Sequence, residues 1–136
     1  MTEPETRHLP VPDADTQPYW DAASRGELVF MRCRACDSAY LYPRARCPRC
    51  WSTDTDWEHS AGTGTVYSYT VVHQNLAAPF RERVPYVLAV VELDEGPRLM
   101  TNLDVAPPAV RVGQRVEVRF REEAAGMRVP VFVPAV

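Results

Sequence analysis

Cys33-Arg34-Ala35-Cys36 and, ten residues on, Cys47-Pro48-Arg49-Cys50 hold every cysteine of the chain within eighteen residues. A C-x-x-C turn aims two thiolates at one ion, and a second such turn completes a tetrahedron. Thiolates are soft ligands, so zinc is the default occupant and iron the alternative. Two disulfides are the rival reading. Paired C-x-x-C spacing without a preceding secretory pattern favours a metal over bridges. Four cysteines close the coordination sphere and leave no position for water or substrate, which makes the expected role of the metal structural. The site residues read from this stretch are Cys33, Cys36, Cys47 and Cys50.

Working outward, Glu27-Leu28-Val29-Phe30-Met31-Arg32 reads as a strand feeding the first cysteine turn, and Ala39-Tyr40-Leu41-Tyr42-Pro43 as the strand returning from it. Trp51 follows the second turn, and Trp57 follows the polar run Ser52–Asp56. A unit of about 30 residues cannot bury enough apolar surface to fold unaided, so metal binding must hold it. Ahead of it, Pro18 suits a first helical turn, Asp15 or Thr16 a cap and Gly26 a stop. So short a helix is unstable alone, and its aromatics Tyr19 and Trp20 must dock, by default on the protein's own core. Residues 1–15 carry four acids and three prolines, and are expected to be a flexible tail unless a surface holds them.

Ser60-Ala61-Gly62-Thr63-Gly64 marks a boundary, beyond which the chain reads as strands and turns. Thr65–His73 is β-branched and aromatic. Val84–Leu93 is nearly continuous apolar, as for a central strand covered on both faces. Asp94-Glu95-Gly96-Pro97 is a turn, and Arg98–Leu103 returns from it. In Arg115–Arg121 the alternation places Val116, Val118 and Phe120 inward. The last strand, Arg128–Val133, contains Pro130, which suits an edge. Five strands in about 70 residues, with a long first connection, suggest a small OB-type barrel. Pro107-Pro108 predicts a turn where such barrels often carry a helix. The expected fold is mostly β, with a short N-terminal helix, a rubredoxin-like four-cysteine ribbon and a five-stranded OB barrel. Its divisions are 1–15, 16–60 and 61–136.

Charge narrows the function classes. The formal net charge is −3 with a pI near 5.6, which argues against a protein built to neutralise phosphate backbones. No apolar run reaches the roughly 20 residues of a membrane helix, and the first residues lack the order of a signal peptide. A cytoplasmic protein is expected. All fifteen basic residues are arginine. Five of them, Arg32, Arg34, Arg44, Arg46 and Arg49, fall on the cysteine module, opposed within it by Asp37. Arginine offers a planar bidentate donor suited to phosphate, and a solvated surface is the plainer reading of each.

The order of helix, four-cysteine ribbon and barrel resembles the zinc-ribbon/OB-fold family once catalogued as domain of unknown function 35. The resemblance covers about residues 16–134. It rests on Gly26-Glu27-Leu28 before Arg32-Cys33-Arg34-Ala35-Cys36, on Tyr42-Pro43-Arg44 before Cys47-Pro48-Arg49-Cys50, and on Trp57 with Gly62–Ser68 beyond. Its last element is the apolar second barrel strand followed by Glu95-Gly96-Pro97-Arg98. One departure is Asp37, where the family commonly has glycine; aspartate tolerates left-handed backbone better than most residues.

The resemblance implies a non-catalytic, acyl-CoA-associated accessory subunit in a hetero-oligomer. Its partners would be thiolase-fold or hot-dog-fold enzymes, as in sterol side-chain degradation, mevalonate-pathway condensation and polyketide-type acyl transfer. The residues agree in offering little chemistry of their own. The histidines are His8, in the tail, His59, beside the linker, and His73, at a strand end where it faces a ligand or caps the barrel. There is no phosphate-binding glycine loop and no G-x-S-x-G. Glu122 and Glu123 are adjacent on a strand end and point to opposite faces. Residues 74–86 link the first two barrel strands, where OB folds commonly meet ligands. There Phe80 is apolar and Arg81 and Arg83 are within reach of phosphates, so this loop, His73 and Arg44, Arg46 and Arg49 are the candidate border of a crevice for a CoA thioester or a partner surface. Two alternatives remain: a single-stranded nucleic-acid binder, since ribbons and OB barrels both serve that purpose, and rubredoxin-like electron transfer with iron.

Overall fold

The computed structural model describes residues 7–136; the part of the expected tail over 1–6 lies outside the described residues. Among the described residues one short α-helix, α1 (Gln17–Ser24), precedes eight strands. A three-stranded sheet of β1 (Val29–Cys33), β2 (Ala39–Tyr40) and β3 (Thr55–His59) carries the cysteine turns in the order β2-β1-β3. The remaining strands, β4 (Thr63–Val72), β5 (Tyr86–Leu93), β6 (Arg98–Leu103), β7 (Arg115–Glu122) and β8 (Arg128–Pro134), close into a barrel in the order β4-β5-β6-β8-β7. This is the mostly β, ribbon-plus-OB architecture expected.

α1 ends as its sequence predicts. Gly26 has φ 77°, its N–H reaches Ala23 O at 3.0 Å and the N–H of Glu27 reaches Ala22 O at 2.9 Å, a glycine-terminated Schellman closure. Its start differs from expectation, because neither Asp15 nor Thr16 caps with its side chain. Asp13 accepts instead from the N–H groups of Asp15 and Thr16, at 3.0 and 2.9 Å, and from the Thr16 hydroxyl. The Asp13 side chain therefore fixes a turn before the helix rather than the helix end. Ala22 and Ala23 are buried, and Tyr19 packs on the barrel core, where burial pushes its phenol well above the usual range.

The barrel core is built from inward positions of alternating strands. On β5 these are Val87, Ala89, Val91 and Leu93, while Leu88 and Val90 face outward and are half-buried. The expected strand covered on both faces is thus covered fully on one. On β7, Val116 is buried and Val118 and Phe120 pack against the same core, as the alternation requires. Leu28 and Leu41 of the ribbon join that core, so ribbon and barrel share one apolar interior. Pro107–Ala109 is a 3₁₀ turn, not a helix. Pro130 lies at a seam: β8 pairs with β7 along its length but with β6 only at Leu103 opposite Phe132, and Pro130 O instead accepts the Thr101 hydroxyl at 3.1 Å.

β3 is a strand that the sequence reading passed over. Thr55-Asp56-Trp57-Glu58-His59 pairs residue by residue with Cys33 back to Val29. Its alternation is polar on the exposed face, so it carries little hydrophobic signal.

Candidate functional site

The two cysteine turns are the same backbone device used twice. The N–H of Asp37 reaches Cys33 O at 2.8 Å and that of Cys33 reaches Ser38 O at 2.9 Å; Trp51 to Cys47 and Cys47 to Ser52 repeat both bonds at 2.9 Å. The four Sγ atoms lie within 4.8 Å of one another, with Cys33–Cys50 at 3.5 Å and Cys36–Cys47 at 3.6 Å. A tetrahedral zinc with Zn–S of about 2.3 Å sets its sulfurs about 3.8 Å apart, so the donor set fits the ion. Cys33 and Cys47 are fully buried and Cys36 and Cys50 exposed. The Ser38 hydroxyl holds the Cys36 thiol down, to about 6. The Ser52 backbone hydrogen bond favours the Cys50 thiolate, yet local desolvation and the three neighbouring sulfurs push that thiol up to about 12. Four thiolates this close require a cation, and a structural zinc supplies it.

Two of the five ribbon arginines are committed to ion pairs. Arg32 bonds Glu58 at 2.9 Å and sits 3.6 Å from Asp37; Arg34 bonds Asp54 and Asp56. Apart from Asp37, their acids come from the polar run and β3, outside the cysteine segment. Arg44 and Arg46 instead donate to backbone carbonyls, of Tyr42 and Trp51, both at 3.2 Å. Arg49 makes no side-chain hydrogen bond or ion pair among the described residues.

A cleft of about 610 Å³ opens between α1, the ribbon and the outer face of the barrel. Its walls include Tyr19 and Trp20 from the helix, Tyr42 and Pro43 from the ribbon, and Phe80 from the long loop. The outward positions of β5 and β6 complete it, with Leu88, Arg98, Met100 and Asn102. A volume and apolar lining of this kind suit a small molecule or a partner's side chains. Its cations are already engaged. Arg98 donates to Glu92 at 2.8 Å and stacks 3.7 Å over the Tyr67 ring, and Arg121 donates to Glu123 at 2.8 Å.

Glu123 is the polar hub that holds the cleft residues His8 and Arg121. Its side chain is 5% exposed and accepts two bonds from Arg83, one from Arg121 and one at 3.2 Å involving His8 Nε2. Burial works to raise its pKa, and the hydrogen bonds from Arg83, Arg121 and His8 outweigh it, holding the carboxyl at about 2. His8, expected in a free tail, is held by the domain surface: its ring meets Phe80 edge-on at 5.8 Å. Glu122 is exposed and points away, as its parity requires.

Of the residues read as a crevice border, Phe80 lines the cleft; Arg44, Arg46, Arg49, Arg81 and His73 do not. Arg83 is turned to Glu123 and stacks 5.6 Å over Phe80. Arg81 and His73 are exposed. The cleft residues Leu88, Met100 and Tyr42 escaped the sequence reading. Their signal is apolar side chains at the outward parity of barrel strands, and an aromatic beside a cysteine turn.

Fold and metal centre together define a four-cysteine zinc ribbon joined to an OB barrel. Residues 20–56 match the ChsH2 rubredoxin-like zinc ribbon domain and 57–121 the ChsH2 C-terminal OB-fold domain. The chain belongs to the DUF35 family. It is 39% identical to a DUF35 domain-containing scaffold protein of Methanocaldococcus jannaschii, over 69% of this chain and 67% of that one. It is 41% identical to a probable enoyl-CoA hydratase alpha subunit of Thermomonospora curvata over 96% of its length, yet spans 40% of that relative. Among solved structures, a chain of the Ltp2-ChsH2(DUF35) aldolase superposes with a TM-score of 0.83 at 41% identity, over 93% of this chain and 99% of that one.

Proposed function

We propose that this chain is a non-catalytic accessory subunit that docks on a thiolase-fold or hot-dog-fold enzyme and completes its acyl-CoA site. The observation that carries the reading is the match, over nearly the whole of both chains, to a chain of the Ltp2-ChsH2(DUF35) aldolase. The chemistry supports it. The metal centre is closed by four thiolates, a geometry that braces a fold and activates nothing. The cleft is apolar and its arginines are paired, so it suits an acyl chain or a partner's side chains better than the phosphates of CoA. Exposed Arg81 is left to meet those phosphates at the rim, alongside the enzyme.

The test is co-expression with a thiolase-like or hydratase-like protein from the same host. The expected result is a stable complex in which the enzyme's acyl-CoA turnover exceeds that of the enzyme alone, while the accessory chain alone turns over no thioester. A chain that purifies as an indifferent monomer beside such enzymes, or that cleaves a thioester unaided, ends the proposal.

A further inference from the structure

Both cysteine turns hold their fifth residue in the left-handed region, Asp37 at φ 64° and Trp51 at φ 68°, and Tyr42 between them is held at φ 66°. Aspartate visits that region with its short polar side chain; a bulky aromatic there is an outlier that glycine would relieve. Neither ring contributes much to the fold. Trp51 is 72% and Tyr42 69% exposed, and among the described residues neither ring has a stacking or cation–π partner. Strained backbone persists where the surrounding structure over-determines it, and it clusters at functional surfaces.

Neighbouring arginines of one short segment bond the backbone at both aromatics. Arg44 bonds the Tyr42 carbonyl and Arg46 the Trp51 carbonyl, which holds both guanidinium groups against the backbone of the two ring-bearing residues. Arg49 lies in the same turn as Trp51, with no acidic partner among the described residues. From Ser38 to Thr53 there is no aspartate or glutamate. A zinc tetrathiolate carries two negative charges, which these three arginines outnumber. Trp, Tyr and Arg are the residues over-represented at the energetic centres of protein interfaces.

We infer that the ribbon surface formed by Tyr42, Arg44, Arg46, Arg49 and Trp51 is the docking face, and that it seats the two rings in apolar sockets rimmed by carboxylates on the enzyme partner. This deepens the accessory-subunit reading and rests on it. The acidic rim follows from charge complementarity to three arginines without acidic partners among the described residues.

Trp51→Gly and Tyr42→Gly separate docking from folding, since glycine suits the left-handed backbone and removes the ring. Trp51→Asn, which also tolerates that region, is the second variant at the same position. Each is measured for zinc content, melting temperature and affinity for the acyl-CoA enzyme that the wild-type chain co-purifies with. Expected are one zinc per chain, a melting temperature equal to or above wild type, and affinity about thirtyfold weaker per ring. Arg49→Glu should weaken docking about tenfold, and wild-type affinity should fall with added salt. Wild-type affinity in the glycine and asparagine variants removes this surface and leaves the accessory reading standing. A wild-type chain that docks on no acyl-CoA enzyme removes both. Salt-dependent binding of an oligo(dT) strand that the same variants abolish, with enzyme docking unaltered, assigns the face to nucleic acid and overturns the proposal.

Discussion

Glu123 receives both arms of the Arg83 guanidinium, at 3.1 and 2.9 Å, across forty positions of chain. The pair pins the long loop between β4 and β5 to the far end of the barrel, and Arg83 in turn lies over Phe80 at the cleft wall. Removing one partner of a shielded pair leaves the other charge uncompensated. Glu123→Ala should therefore destabilise the zinc-loaded chain by about 3 kcal/mol in urea unfolding. Glu122→Ala, at the exposed neighbour, should stay within about 0.5 kcal/mol. Amide exchange should quicken over residues 76–84 in the first variant and not in the second.

The same hub sets an acid limit. The folded Glu123 carboxyl sits at about 2 against its ordinary 4.5. The unfolded chain therefore binds the proton first as pH falls. The stabilisation is complete above about 4.5 and is lost progressively down to about 2, amounting to about 3 kcal/mol at most. Stronger acid also releases the zinc by protonating its thiolates, so this share is read between pH 6 and pH 4, where it accounts for about 1 kcal/mol of the fall in wild-type stability. In Glu123→Gln the difference should shrink, and an equal loss in both chains would place the acid sensitivity elsewhere.

The parts of this molecule that a reader of the sequence can find are those encoded by spacing. Two C-x-x-C turns state the metal geometry outright, and alternation on β7 or the Gly26 stop of α1 states a local conformation. Glu95, quoted only as part of a motif, turns out to lock the ribbon to the barrel, accepting from Ser60 Oγ at 2.9 Å and Ala61 N–H at 2.8 Å. What stays hidden is made by tertiary proximity. β3 has no apolar face to announce it, and it exists because β1 offers a backbone edge. The bonds of His8 and Arg83 to Glu123 span 115 and 40 positions, which no local pattern encodes. The cleft arises from outward residues of two strands and the docking of a helix, so its members share no sequence signal.

Metal removal should reach beyond the ribbon. Leu28 and Leu41 flank the first cysteine turn and belong to the barrel's own core, and Tyr19 packs there too. A strong chelator should abolish the near-ultraviolet signal of the ribbon tryptophans and also lower the melting temperature of the remaining β structure. Structural zinc contributes about 10–16 kcal/mol in zinc-finger peptides, comparable with the whole stability of a small domain. Cobalt should restore the fold with the visible bands of a tetrahedral thiolate site, and Cys33→Ser or Cys47→Ser should prevent it. A barrel whose melting is indifferent to chelation would show that the two halves are not coupled.

At Gly64, β4 lies against β5 with no room for a side chain. A Cβ placed there would stand 2.5 Å from Glu92 O and 2.9 Å from Val91 Cγ1, and the first of these is backbone that cannot swing aside. At Gly113 a Cβ meets nothing within 4 Å, and its φ of 88° is the sole objection to a side chain. The two positions thus separate steric exclusion from backbone preference. Gly113→Ala should lose about 1 kcal/mol, the penalty of left-handed backbone for a residue with a Cβ. Gly64→Ala must open the pairing of Gly64 with Leu93 and Val116 that helps to close the barrel, and should lose about 3 kcal/mol, at the upper end of what overpacking does. Urea unfolding of the two variants side by side checks the order; equal losses would mean that β4 and β5 are further apart than this barrel requires.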